Sequence, residues 1–189
     1  MVLTTAYFPP IEFFAVLARN SVVYMEACES YQKQSYRNRC RILSAGGVLD
    51  LNFPVVHGEN RLITEIRVDY STPWVTKTKK AISTAYDNSP FFEYYRDQLF
   101  AVLDSKPETL WELNMRLIEF FMKKIGLGTE ILATSELSTP ALDIHPKRES
   151  SFRCPEYQQV FAQKFGFVNN LSIMDLLFNE GPGSICYLK

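Results

Sequence analysis

The chain has 189 residues, of which 47% are hydrophobic, so it is long enough to bury one sizeable core. Its 20 lysines and arginines nearly balance 21 aspartates and glutamates, which gives a net charge of -1. That balance excludes a protein-wide field that attracts nucleic acid or an anionic membrane surface, so any anion site must be local. We expect a single domain over residues 1–189.

Cysteine usage and hydropathy narrow the class of protein further. Cys28, Cys40, Cys154 and Cys186 are far apart and form no C-x-x-C pair, so we expect reduced thiols and no zinc or redox site. The sequence has no stretch of about 18 apolar residues and no secretory leader pattern, which predicts a cytoplasmic protein without a membrane span.

The first predicted elements form a βαβ unit. Val2 to Phe8 is typical of a short strand, Pro9-Pro10 stops it, and the largely apolar segment Ile11 to Arg19 predicts a buried helix. The run from Val22 to Met25 is typical of a strand covered on both faces. Strand, helix and strand in so short a span predict a parallel pair with a right-handed crossover.

The next segments predict antiparallel structure. Two strand-like runs, Arg37 to Leu43 and Val48 to Val56, flank Ala45-Gly46-Gly47, which is a turn signal for a hairpin. Leu62 to Tyr70 alternates apolar and polar residues and predicts a third strand. We therefore expect a sheet with one solvent-exposed face in the middle of the chain.

The rest of the chain is predicted to be mainly helical, with a long polar loop from Leu137 to Cys154. The fold class is therefore α/β with α+β character: a βαβ unit, a hairpin extension, and a helical C-terminal half packed on the sheet. The predicted elements are a helix opened by Thr72-Pro73, helices from Pro90 to Leu103 and from the capping box Ser105-x-x-Glu108 to Gly126, a strand from Glu130 to Ser135, and helices from Pro155 to Phe165 and from Ser172 to Asn179.

A cluster of cations provides the first candidate site. Four of them fall between Tyr31 and Arg41, in a chain whose charges otherwise balance. If this part is a strand, alternation places Arg37, Arg39 and Arg41 on one face. A guanidinium offers a planar fork of donors that suits phosphate or carboxylate, so these residues predict a nucleotide or phosphosugar ligand.

The same arginines have an alternative explanation. The two strands inferred downstream carry Asp50, Glu65 and Asp69, which could pair with the arginines across a solvent-exposed sheet face. Exposed pairs of this kind contribute only about 0 to 1 kcal/mol. The sequence leaves the ligand and ion-pair interpretations open.

A second polar segment, Ile144-His145-Pro146-Lys147-Arg148, lies in the long loop. His145 is the better of the two histidines for proton transfer, because its cationic neighbours favour a neutral imidazole, whereas His57 follows a strand end and is predicted to be a turn residue. If the loop folds over the sheet, five cations from the two segments surround one phosphate: Lys33, Arg37, Arg39, Lys147 and Arg148.

The first loop is a third candidate. The turn Tyr7-Phe8-Pro9-Pro10 follows the first parallel strand, at the edge where open α/β sheets bind ligands, and precedes a helix N-terminus whose free N–H groups favour anions. We therefore expect this turn and the long loop to form one pocket. None of the common dinucleotide, phosphate-loop, zinc-protease, serine-hydrolase or calcium motifs occurs, so the sequence names no cofactor and no metal.

Several segments resemble the WbqC-like protein family. They cover the chain nearly end to end: Tyr7 to Phe14, Tyr31 to Arg39, Pro54 to Val56, Ser89 to Tyr95, Ile144 to Lys147 and Ser172 to Pro182. The resemblance implies a role in bacterial O-antigen or other surface-polysaccharide synthesis. By motif, it assigns polar site positions to Lys33, Arg37, Asn38, Arg39, His145 and Lys147.

Two hypotheses about function follow. In the first, the protein is a group transferase that binds a nucleotide-activated sugar or acyl donor, or another phosphorylated small molecule. In the second, it is a non-catalytic protein that binds a carbohydrate intermediate or assembles with enzymes of the same polysaccharide pathway. Both leave the oligomeric state open. The transferase hypothesis assigns a role to each candidate residue. Lys33, Arg37 and Arg39 bind phosphate, Asn38 orients the ligand, Lys147 closes over the anion, Tyr7 and Tyr36 contact the substrate, and His145 transfers a proton.

Overall fold

The computed structural model of the protein describes residues 1–56, 58, 62–140, 142, 144–148 and 150–189. The chain opens as β1 (Val2–Leu3), α1 (Ile11–Ala18) and β2 (Val22–Met25), and the two strands pair in parallel. This confirms the predicted βαβ unit. The first strand is shorter than expected because the chain has left the sheet by Tyr7, whose backbone N–H donates to the carbonyl of Tyr36.

The parallel sheet has a third strand. β5 (Glu130–Ala133) pairs with the other edge of β2, so the order is β1-β2-β5 and β2 is central. Val23 and Met25 of the central strand are fully buried, whereas Tyr24 between them is 41% exposed and lies beside the equally exposed Leu132. The strand was expected to be covered on both faces, and that expectation is wrong because the described structure buries one face only.

The predicted antiparallel hairpin is confirmed as β3 (Arg39–Ser44) and β4 (Gly47–Asn52). Its turn needs glycine because Gly47 has a φ of 107°, where a Cβ is disfavoured. Arg39 and Arg41 share the more exposed face of β3, as alternation predicts. Two of the three arginines that were predicted to share a face therefore do so.

The helices follow the hairpin, as predicted, and pack against one another and against β3. They are α2 (Trp74–Tyr86), α3 (Phe92–Asp104), α4 (Leu110–Ile125), α5 (Ala162–Phe165) and α6 (Ile173–Glu180), followed by a 3₁₀ helix over Gly181–Tyr187. Within the part of the chain that the structure describes, none of these helices is both long and apolar enough to cross a lipid bilayer.

The start of α4 differs from the prediction. Thr109 caps the helix, since its hydroxyl accepts the backbone N–H of Glu112 at 3.1 Å. Ser105, the predicted cap, instead ends α3, and Lys106 after it adopts a φ of 47° that helical backbone does not allow. The predicted end is confirmed, because Gly126 takes the left-handed conformation with a φ of 82°.

The prediction of a third strand over Leu62 to Tyr70 is wrong, because this segment forms no strand. The N–H of Val68 donates to the segment before α4, whereas the N–H of Asp69 donates to the segment after β4. Because its backbone hydrogen bonds go to two different segments, it forms isolated β-bridges instead of a continuous strand pairing. Ile66 and Val68 nevertheless reach the core, which accounts for the alternating pattern. His57, predicted to be a turn residue, lies outside the described residues.

Most of the helix predicted over Pro155 to Phe165 is absent, and only α5 forms there. The buried carboxamide of Gln159 donates to the carbonyl of Val168 at 2.9 Å and accepts the N–H of the same residue at 2.8 Å. The phenol of Tyr157 donates to Asp175 at 2.6 Å. These side-chain hydrogen bonds hold the segment in an irregular conformation in place of a helix.

One connected hydrophobic cluster joins the sheet, the hairpin and the helices. Phe8 and Phe14 both contact Phe121 of α4, with ring centroids 6.1 and 6.0 Å apart. Tyr7 contacts Phe53 after β4 at 4.7 Å. The turn that follows β1 therefore lies inside the core.

Candidate functional site

Two cavities lie beside the hairpin. The first, the Trp74 cavity, has a volume of about 700 Å³, and the second, the His145 cavity, about 410 Å³. Both fall in the size range of small-molecule sites, about 300 to 1,000 Å³. The predicted site residues divide between them: Lys33, Asn38 and Arg39 line the first, and Tyr36, His145 and Lys147 line the second. We expected these residues to line a single pocket, but they line two separate cavities.

The Trp74 cavity carries an excess of positive charge. Three cations line it, Lys33 and Arg39 from the predicted cluster and Lys77 from α2. Asp50 is the one acid among the described lining residues, and its Oδ2 accepts from Nη1 of Arg39 at 3.2 Å. One carboxylate against three cations leaves a local field that attracts an anion.

One face of α2 forms a wall of the Trp74 cavity that the sequence reasoning missed. Trp74, Lys77, Thr78 and Ala81 all line the cavity, and their spacing of three, four and seven residues is that of one helix face. The Trp74 ring stacks on Tyr70 at 5.6 Å, which fixes its plane. Such spacing is equally typical of a helix face that packs on the core, so it does not by itself identify a cavity wall.

Arg37 does not reach either cavity. It is 5% exposed, and its Nε donates to Oε1 of Glu29 at 2.7 Å while Nη2 contacts Oε2 of the same carboxylate. Its backbone carbonyl accepts from Nδ2 of Asn114 at 2.8 Å. The expectation that three arginines share one face is wrong, because Arg37 precedes β3 and its guanidinium is turned inward to a buried carboxylate.

Arg39 and Arg41 share one acid. Oδ2 of Asp50 accepts from Arg39 and Oδ1 from Arg41, both at 3.2 Å. The ion-pair interpretation is thus confirmed for these two arginines. It does not exclude ligand binding, because Arg39 lines the Trp74 cavity and Arg41 lines the His145 cavity.

The His145 cavity has a different chemistry. Nδ1 of His145 accepts the backbone N–H of Lys147 at 3.1 Å, so the neutral ring carries its proton on Nε2. Tyr36 lines the cavity too, and burial raises the pKa of its phenol even though the Arg41 guanidinium nearby acts in the opposite direction. The Tyr36 phenol therefore keeps its proton and can donate a hydrogen bond, as can Nε2 of the neutral His145 ring.

The long loop bridges the two cavities. Nζ of Lys147 donates to Oε1 of Gln34, and Gln34 lines the Trp74 cavity. Gln34 also has a φ of 59°, an uncommon backbone conformation for a residue with a side chain. Among the described residues, no group of three or more histidine, cysteine, aspartate or glutamate side chains is arranged to hold a metal ion.

The first turn packs in the core, and its residues 7–10 line neither of the two cavities. Tyr7 is fully buried, and burial raises the pKa of its phenol well above the usual value. The N-terminal N–H groups of α1 are already used: Ile11 donates to the carbonyl of Leu171, and Glu12 donates to Oδ1 of Asn170, each at 2.9 Å. The anion site expected at this helix end is therefore filled by the chain itself.

Comparison with known proteins gives the family. The model of the WbqC-like protein family matches residues 5–148, which include most of the residues that line the two cavities. The uncharacterized protein Rv1507c of Mycobacterium tuberculosis (strain ATCC 25618 / H37Rv) is 26% identical over 197 residues, which cover 84% of each chain. No solved structure matches significantly. The chain belongs to the WbqC-like protein family.

Proposed function

We propose that the protein binds a phosphorylated or nucleotide-linked sugar in the Trp74 cavity and transfers a group to or from it in bacterial surface-polysaccharide synthesis. Membership of the WbqC-like family suggests the polysaccharide-related role. The observation that carries the proposed ligand is the meeting of Lys33, Arg39 and Lys77 beside an aromatic wall in a cavity of about 700 Å³.

The cations are assigned to the phosphates. Lys33 and Lys77 are exposed ammonium groups, and Arg39 is held in place by Asp50. A guanidinium oriented by a carboxylate presents its remaining Nη donors in a fixed direction, while lysines adapt to the other phosphate oxygens. A diphosphate linked to a sugar offers enough negative charge to balance all three.

The aromatic and amide groups are assigned to the nucleoside or the sugar. Tyr31 and Trp74 line the same cavity as the cations, and flat aromatic groups favour sugar rings and bases. Nδ2 of Asn38 donates to the carbonyl of Phe53 at 2.9 Å, which orients the carboxamide and directs Oδ1 to a ligand hydroxyl.

His145 is assigned to proton transfer. Its ring lines the neighbouring cavity, with Nε2 carrying the proton in the neutral form. A proton on that nitrogen suits the donation of a hydrogen bond or a proton to a leaving group. Lys147, which lines the His145 cavity and contacts Gln34, is assigned to closure over the anion from that side.

A non-catalytic role in binding a carbohydrate intermediate, or in assembly with enzymes of the same pathway, is the second candidate. One observation favours it: the described residues that line the Trp74 cavity include no histidine and no cysteine. A cavity of that composition can bind a phosphorylated ligand without transferring a group.

Thermal shift and calorimetry with UDP, UDP-glucose, UDP-N-acetylglucosamine and uncharged glucose test the ligand class. A ligand at 100 times its dissociation constant stabilises the folded state by about 2.7 kcal/mol, which a thermal shift detects. We expect binding of the phosphorylated probes to be lost in Arg39→Ala and kept in Arg96→Ala, because Arg96 lines neither cavity. Equal binding by both variants would argue against the proposed site.

The His145→Ala variant separates the two candidate functions. For a transferase, mass spectrometry of incubations with nucleotide sugars and acceptors should detect a product that disappears in this variant while ligand affinity stays within a few-fold. For a binding protein, the phosphorylated probes bind and no incubation yields a product.

A further inference from the structure

A buried carboxylate lies among the cations of the His145 cavity. Glu12, in the first turn of α1, is 8% exposed and lines this cavity together with Arg41, Lys147 and Arg148. A carboxylate in this position repels the phosphate groups that the cations attract. The lining of the His145 cavity therefore carries both signs of charge.

The two oxygens of Glu12 have different surroundings. Oε2 accepts from Oγ of Ser150 at 2.7 Å and from Nδ2 of Asn170 at 3.0 Å. In the described part of the chain, no hydrogen bond reaches Oε1, and Oε1 is not among the buried atoms that lack a partner. The carboxylate is thus held through Oε2, and Oε1 has no hydrogen bond from the described residues.

The cations of the cavity differ in what holds them. Arg41 is paired with Asp50 at 3.2 Å, so part of its charge is already balanced. Nζ of Lys147 contacts the uncharged carboxamide of Gln34, which leaves its charge uncompensated by that contact. The ammonium of Lys147 can therefore pair with an incoming anion.

We propose that the His145 cavity binds an amino sugar that also bears a phosphate group. The ammonium of the sugar pairs with Oε1 of Glu12, and the phosphate pairs with the ammonium of Lys147. Tyr36 and Ser151 also line this cavity, and their hydroxyls are assigned to the sugar hydroxyls. The volume of about 410 Å³ suits a single sugar phosphate and is smaller than that of the Trp74 cavity.

The binding site stands on its own contacts, whereas the identity of this amino sugar as the second substrate of a transfer reaction rests on the proposed function. The two cavities adjoin through the contact of Lys147 with Gln34 and through the two oxygens of Asp50. Ligands in both cavities would accordingly lie next to each other, as a donor and an acceptor must.

Isothermal titration calorimetry with glucosamine 6-phosphate, glucose 6-phosphate, glucosamine and glycine tests the proposal. We expect glucosamine 6-phosphate to bind at least 10-fold more tightly than any of the other three. Glu12→Gln keeps an oxygen for Ser150 and Asn170 but removes the charge, so it should abolish the preference for the amine over the hydroxyl. Lys80→Met, on an exposed part of α2 outside both cavities, should change nothing.

Three results would overturn the proposal: equal affinity for glucosamine 6-phosphate and glucose 6-phosphate, glycine binding as tightly as the amino sugar phosphate, or an amine preference that survives Glu12→Gln. Should circular dichroism show that Glu12→Gln is unfolded, the exposed Lys147→Met replaces it and must lose the preference for phosphate. If the protein binds glucosamine 6-phosphate but no UDP-sugar, the proposed function is contradicted. The proposed binding site in the His145 cavity is then still supported.

Discussion

The guanidinium of Arg37 and the carboxylate of Glu29 form a two-point ion pair in which neither side chain is more than 9% exposed. The pair connects the segment after β2 with the segment before β3. It therefore holds the loop that carries Lys33 and Gln34 to the Trp74 cavity.

Breaking this pair should destabilise the protein strongly. Removal of one partner of a buried ion pair leaves an uncompensated charge and typically costs about 3 to 5 kcal/mol. We expect Arg37→Ala to lower the free energy of unfolding by this amount in urea denaturation, and Arg37→Met with Glu29→Leu to recover most of it. Arg67→Ala, which breaks an exposed pair with Glu108, is the control and should cost about 0 to 1 kcal/mol. Similar losses in both single variants would show that Arg37 is not buried as a pair.

Asp175 makes stability depend on pH. Burial raises the pKa of this carboxyl to about 6 from the usual 3.8, although hydrogen bonds from Tyr157 and Gln159 act in the opposite direction. Between pH 3.8 and about 6 the folded protein retains a proton that the unfolded chain has released, so stability falls as the pH rises through this window. The loss is on the order of 3 kcal/mol, at 1.36 kcal/mol for each pKa unit.

The Asp175→Asn variant tests that dependence, because it cannot ionise. The difference in unfolding free energy between the variant and the native protein should grow in favour of the variant from pH 4 to pH 7. A difference that stays constant over this range would show that Asp175 keeps an ordinary pKa.

Gly181 lies where a side chain does not fit. A Cβ built on it would lie 2.6 Å from the Phe91 ring, and its φ is 54°. We expect Gly181→Ala to cost about 1 to 3 kcal/mol, because the ring must shift and the backbone is strained. Gly183→Ala, two residues later, meets no atom within 4 Å and should be nearly neutral. Equal melting temperatures for the two variants would contradict the close contact.

Thr109 and Ser105 test the start of α4. Because the Thr109 hydroxyl accepts the N–H of Glu112, Thr109→Ala should lower the unfolding free energy by about 1 kcal/mol. Ser105, an exposed residue at the end of α3, should tolerate alanine within about 0.5 kcal/mol. The reverse order in chemical denaturation would indicate that the helix starts at Ser105 in solution.

The sequence predicted the elements whose signals are local. Alternation around Ala45-Gly46-Gly47 marks the hairpin, and Gly126 marks a helix end, because both depend on backbone conformations that neighbouring residues determine. The failures at Leu62 to Tyr70 and Pro155 to Phe165 have the opposite origin. In each of these segments, backbone or side-chain hydrogen bonds go to residues outside the segment, which no local pattern reports.

The sequence indicated two polar segments that line the cavities, but neither their arrangement nor the wall formed by α2. Nothing in the spacing of Arg37 and Arg39 shows that the first pairs with Glu29 inside the protein while the second lines a cavity. The two polar segments do approach each other through Lys147 and Gln34, yet they line separate cavities. Partner choice among charged residues depends on tertiary structure, so sequence alone left both interpretations open.

Lys77 provides the sharpest test of the Trp74 cavity, because no sequence motif singled it out. Its ammonium joins Lys33 and Arg39 around the cavity, so Lys77→Met should weaken the binding of UDP-glucose roughly 10-fold, equivalent to about 1.4 kcal/mol. Lys80→Met removes the same charge from the same helix outside both cavities, and it should leave the dissociation constant within two-fold. The difference in dissociation constant between the two variants should become smaller in 0.5 M salt, because salt screens the interactions of exposed charges. Equal affinities of the two variants for UDP-glucose at low salt would show that Lys77 of α2 does not contribute to binding.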